Sequence, residues 1–179
     1  MRAERIKAEA EKLKIKYNTK DLYEICQCMD IDINYRAMGL QEGSCKGFII
    51  MNARCGMITL NSDMTEENQR IILAHELGHA VLHAGAGMCT FHDCCVFTGG
   101  DIREYEANVF ASEFLIGDNV LTEMVEEGQD FFKVASELRV PPEMLDFKLR
   151  LLQKEGHHVV APYIAKSDFL KRNIEKVMN

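Results

Sequence analysis

Apolar residues recur at helical spacing from the start of the chain: Ile6, Ala10, Leu13 and Ile15 stand among Lys, Arg and Glu. That period predicts an amphipathic helix over residues 2–16. Thr19 and Asp21 then open a second helix over 22–29, with Leu22, Ile25 and Cys26 on one face. The period switches to two at Ile31-Asp32-Ile33-Asn34-Tyr35, which predicts a strand. Residues 47–51 and 57–60 make two further strands, with 52–56 as the hairpin turn between them. The resulting sheet is expected to be small and largely antiparallel. Residues 57–60 are expected at its edge, where an extended peptide could add as a further strand.

From Thr65 the helical period returns, with Glu66 and Glu67 in a first turn whose dipole favours acids. Ile71, Ile72, Leu73, Ala74, Leu77, Ala80 and Val81 cover nearly every side of this helix, so it is expected to be central and buried, ending near Gly85 or Gly87. Residues 85–100 are rich in Gly, Cys and Thr and read as a loop. A helix over 101–117 follows, then two short ones over 118–127 and 130–139. Pro141-Pro142 opens another to about Lys154. The pattern predicts an α+β fold. A unit over 1–117 carries the small sheet and the candidate chemistry. A helical C-terminal region occupies 118–179 and resembles a helix-turn-helix around 130–154.

Composition narrows the possible functions. The 179 residues are 47% hydrophobic and 27% charged with three prolines, enough for a core and poor in disorder-promoting sequence. The formal net charge of −7 argues against direct nucleic-acid binding. No run approaches the roughly 18 apolar residues of a membrane span, and the N-terminus has no secretory apolar stretch. Seven cysteines without such a leader read as reduced thiols of a cytoplasmic protein. Nine carboxylates fall between Asp101 and Asp130 against a single base, Arg103, and read as solvated helix faces.

The segment His75-Glu76-Leu77-Gly78-His79 carries the candidate chemistry. At 3.6 residues per turn the two imidazoles lie one above the other and can share one zinc ion. Glu76 projects about 100° away, free to act as general base toward water. Gly78 leaves room for close approach of a strand or substrate. A catalytic zinc takes three protein ligands. His83 lies a further turn along, about 6 Å on, too far to share a metal with His75. Position 85 is glycine, so a third histidine is not supplied there. The remaining route is a carboxylate from the helix over 101–117. Glu104 ranks first on helix phase and Glu106 second, and Asn108 on the Glu104 face is a candidate to orient His75. Cys89, His92, Cys94 and Cys95 form a second cluster with no common zinc-site spacing.

Taken together, His75-Glu76-Leu77-Gly78-His79-Ala80-Val81-Leu82-His83 and the later Glu104-Tyr105-Glu106-Ala107-Asn108 with Phe110-Ala111 resemble the ImmA/IrrE family of metallopeptidases. Lys46-Gly47-Phe48, Ile58-Thr59-Leu60-Asn61 and the stretch from Ala135 to Leu149 are similar to that family too, so the likeness spans about residues 19–155. The resemblance implies a zincin-like, gluzincin-type domain of bacteria, prophages or mobile elements. It implies that His75, His79 and Glu104 bind zinc, that Glu76 catalyses, and that the partner is a helix-turn-helix repressor cut to relieve repression. The chain departs from the family at Leu115-Ile116-Gly117-Asp118, where a proline is common, and carries Asn108 where related zincins often place an aspartate. A zinc-containing regulator that binds a partner and cleaves nothing is the rival reading.

Overall fold

A computed structural model describes residues 3–52, 55–83, 89–92 and 102–161. The chain begins with α1 (Ala3–Tyr17), whose Ile6, Ala10 and Leu13 are buried at the predicted helical spacing. Next comes α2 (Leu22–Cys28), which starts where Asp21 accepts the backbone N–H groups of Tyr23 and Glu24 at 2.7 and 3.2 Å. The strands are β1 (Ile31–Arg36), β2 (Gly47–Met51), β3 (Gly56–Asn61) and β4 (Cys89–His92). Five helices complete the chain: α3 (Glu66–His83), α4 (Ile102–Leu115), α5 (Asp118–Glu126), α6 (Phe131–Glu137) and α7 (Pro142–Lys154). Among them α6 is capped by Asp130, and Arg139 with φ +53° turns the chain toward Pro141 and α7.

The sheet has four strands in the order β1-β3-β2-β4. Two pairings, β2 with β3 and β2 with β4, are antiparallel, while β1 joins β3 in parallel. This departs from expectation in two places. Residues 57–60 are not an edge: β3 pairs Ile58 with Ile33 on one side and with Ile49 on the other, so both rows of its backbone groups are engaged. A peptide cannot add there, and the edges among the described residues are β1 and β4. The second departure is β4, a strand within the stretch that read as loop. It is too short, at four residues, and too closely flanked by Gly and Cys to carry a period.

The sheet lies against α3. Gly47 of β2 comes so close to this helix that an added Cβ would lie 2.5 Å from Ile72 Cγ2. On its other side α3 packs on α4, and there an added Cβ on Gly78 would lie 3.1 Å from both Cβ and Cδ1 of Phe110. The neighbour that needs Gly78 small is therefore a helix, not a strand or substrate. These two approaches bury α3 from Ile71 to Ala80 without a break. One apolar cluster runs from Ile6 and Ile25 through Ile49, Ile58, Leu73, Leu77 and Phe110 to Leu145 and Leu152.

Candidate metal centre

Helix α3 presents three histidines at four-residue intervals, so their rings line one face, with centroids 4.7 Å apart from His75 to His79 and 5.3 Å from His79 to His83. His75 and His79 turn their Nε2 atoms toward each other at 3.1 Å. From α4, Glu104 reaches the same point: Oε2 lies 3.4 Å from His75 Nε2 and Oε1 lies 3.3 Å from His79 Nε2. Tetrahedral ligation at 2.0–2.1 Å places neighbouring donors about 3.4 Å apart. The imidazole pair matches that edge to within about 0.3 Å, and the Glu104 carboxylate spans the two rings with one oxygen toward each, all three donors lying within 4.8 Å of one another. Nitrogen, nitrogen and carboxylate oxygen are also the donors of a His₂Glu zinc site, so the residues fit a zinc-type divalent ion.

Burial sets the protonation of this set. His79 is pushed down to about 4, first by desolvation and then by the neighbouring His75, against the opposing pull of Glu104. For Glu104, desolvation alone would raise its pKa. Hydrogen bonds from His75 and His79 outweigh that and hold the carboxyl well below the usual range. At neutral pH His79 is thus a neutral imidazole and Glu104 a carboxylate, the states in which each can donate an electron pair.

Glu76 follows His75 on α3 and is buried, with 1% of its surface exposed. Glu106 is not part of the donor set. Its carboxylate meets His83 Nε2 at 3.0 Å, one turn farther along α3. Asn108, one turn beyond Glu104 on α4, is buried at 2% exposure. The side chains of Cys89, His92, Cys94 and Cys95 lie outside the described residues. Cys26, Cys28 and Cys55 are free thiols, and burial pushes Cys26 up to about 12, which leaves it inert.

The acidic segment is only partly a solvated face. Glu123, Glu126, Glu127 and Asp130 are exposed. Glu104 and Glu106 instead face the histidines, and Glu113 accepts from the buried Lys148 ammonium at 2.6 Å. Asp118 shares that ammonium and is also paired with Lys7 at 2.5 Å. Charge patterning alone could not separate these groups, because it does not report which bases of α1 and α7 come back to meet them. Among the described residues, no helix is long and apolar enough to cross a membrane.

The family model described as Peptidase_M78, the IrrE N-terminal-like domain, matches residues 26–150. That span includes β1 to β4, α3 to α6 and the first nine of the thirteen residues of α7. The chain is 29% identical over 138 residues to the metallopeptidase ImmA of Bacillus subtilis (strain 168), covering 74% of this chain and 77% of that protein. It is 32% identical over 143 residues to a protein of Bacillus phage phi105 named uncharacterized immunity region protein 2, covering 80% of this chain and 88% of the relative.

Proposed function

Since the chain belongs to the Peptidase_M78 family of IrrE N-terminal-like domains, a family of metallopeptidases, we propose that it is a zinc-dependent endopeptidase whose substrate is a helix-turn-helix transcriptional repressor. A relative named for a phage immunity region favours a protein substrate of this kind, acting in the cytoplasm of a bacterial host. The observation that supports the reading most strongly is the convergence of His75, His79 and Glu104 donors within 4.8 Å of one another, beside a glutamate that is not itself among the donors.

In this reading His75, His79 and Glu104 hold the metal. When bound, zinc supplies Lewis acidity that polarises a carbonyl and acidifies water. The chain's own groups do the rest. Glu76 carboxylate accepts a proton as water oxygen attacks the scissile carbonyl carbon. It then delivers that proton to the amide nitrogen as the C–N bond breaks, leaving a carboxyl and an amine. Burial of Glu76 keeps bulk water from competing for the proton. A site that only stored or sensed metal would need its ligands and no such base, so Glu76 counts for hydrolysis over binding alone.

The test is incubation of the zinc-loaded protein with the helix-turn-helix repressor encoded beside its gene, in parallel with Glu76→Gln. The reading expects two repressor fragments from the wild type, with their new termini read by mass spectrometry. Loss of the base is expected to slow cleavage by about 10²–10⁴-fold or more. Equal cleavage by both proteins would remove Glu76 from the mechanism. An intact repressor bound stoichiometrically by both would support the non-catalytic regulator instead.

A further inference from the structure

His83 and Glu106 have no part in the donor set, yet both are buried, each with 7% of its side chain exposed. They are joined to that set through the far side of His79. His79 uses Nε2 toward His75 and Glu104, and its other ring nitrogen, Nδ1, lies 3.2 Å from Nδ1 of His83. Nε2 of His83 then lies 3.0 Å from Oε2 of Glu106. The same two helices thus supply the donor set and, one turn farther along α3, a line of three groups leading into it.

The protons on this line have one consistent arrangement. To ligate through Nε2, His79 must keep that nitrogen bare and carry its proton on Nδ1. Its N–H then donates to Nδ1 of His83, which must be bare in turn. His83 therefore carries its proton on Nε2 and donates it to Glu106. No group is left with donor facing donor. A carboxylate at the end of the line draws both N–H bonds toward itself, which makes His79 Nε2 a better electron-pair donor and stops the ring rotating. The four-residue spacing explains the choice of His83. It lies too far along α3 to join the donors, but its ring sits behind His79, tilted by 49° with centroids 5.3 Å apart.

We propose that His83 and Glu106 are positioning residues, a two-step hydrogen-bond relay that fixes the tautomer and orientation of His79 and strengthens it as a metal ligand. The inference rests on the reading of His75, His79 and Glu104 as a metal centre. It is independent of what the protein cleaves.

The experiment titrates the metal-free protein with Co²⁺, whose visible absorption reports ligand geometry, and obtains the Kd by chelator competition. Wild type, His75→Ala, His83→Phe, Glu106→Gln and the His83→Phe/Glu106→Gln double variant are compared. Phenylalanine keeps a flat ring but no nitrogen, and glutamine keeps the size of Glu106 without its charge. Thermal unfolding of each metal-free protein reports folding separately. If His83→Phe does not fold, Glu106→Gln carries the comparison. The relay expects each single variant to bind Co²⁺ about 10- to 100-fold more weakly with an altered spectrum. It expects the double variant to be no weaker than the worse single one, because either break interrupts the same line. Unchanged affinity in folded variants, or losses that simply add, would overturn the relay, and loss of binding in His75→Ala alone would leave the metal centre standing. A wild-type protein that binds no cobalt would overturn both.

Discussion

Only 2% of the His79 side chain is exposed, and its imidazole is pushed down to about 4. In the unfolded chain it returns to about 6.5. Between those values the unfolded state binds the proton and the folded state does not, so stability rises with pH across that window and falls as acid is added. Glu104, held low, acts in the same direction below its ordinary range. Metal-free protein is therefore expected to lose on the order of 3 kcal/mol from this histidine between pH 6.5 and 4. Urea unfolding across that range, for wild type and His79→Gln, checks it: the variant should show the shallower slope, and equal slopes would contradict it. That His75 and His79 face each other was legible in sequence because an i, i+4 pair on a helix has only one geometry. Helix phase and the family likeness ranked Glu104 ahead of Glu106, and Glu104 is the one that faces the pair. Helix phase separates two neighbours but does not say where along α3 each arrives. Packing brings Glu104 level with His75 and His79, and Glu106 level with His83.

At the scale of elements, the site depends on how closely α3 and α4 approach, since one carries the imidazoles and the other the carboxylate. Gly78 permits that close approach, since an added Cβ would press on Phe110, which is itself fully buried. Gly78→Val is expected to cost about 1–3 kcal/mol by overpacking. It should also push Glu104 away from the imidazoles, so Tm and metal affinity fall together. Calorimetric unfolding and metal titration of the variant measure the two, and an unchanged affinity would show that α4 is positioned by other contacts. Most element boundaries were readable in advance, because caps such as Asp21 and Asp130 and the Pro141-Pro142 start act within a few residues. The sheet order was not. Alternation in Ile31–Arg36 says which side chains face the core, but not that the strand joins β3 in parallel and closes its free edge.

Across the whole molecule, a buried charge network joins the C-terminal helices to the rest beside the shared apolar core. Lys148 of α7 is fully buried between Glu113 of α4 and Asp118 of α5, and Lys7 of α1 links Asp118 to Glu155. Lys148→Met leaves Glu113 buried without its ammonium, and is expected to cost about 3–5 kcal/mol near neutral pH. Burial already raises the Glu113 carboxyl, against the pull of Lys148. Without that pull the carboxyl rises further. A carboxyl raised in the folded state destabilises above its folded value, and this penalty fades as pH falls through it. The deficit of Lys148→Met should therefore shrink toward acid, which denaturant unfolding at pH 7 and pH 5 would read. A constant deficit would mean that lost packing, not the stranded charge, is responsible. A net charge of −7 concealed this network, because composition counts carboxylates without locating them. The central claim is that one metal ion sits among His75, His79 and Glu104. It is tested most directly by an anomalous difference map, recorded at the zinc edge, from crystals of the zinc-loaded protein. The account predicts one full-occupancy peak about 2 Å from Nε2 of His75, Nε2 of His79 and an oxygen of Glu104. No peak there, or a peak held by cysteines instead, would contradict it.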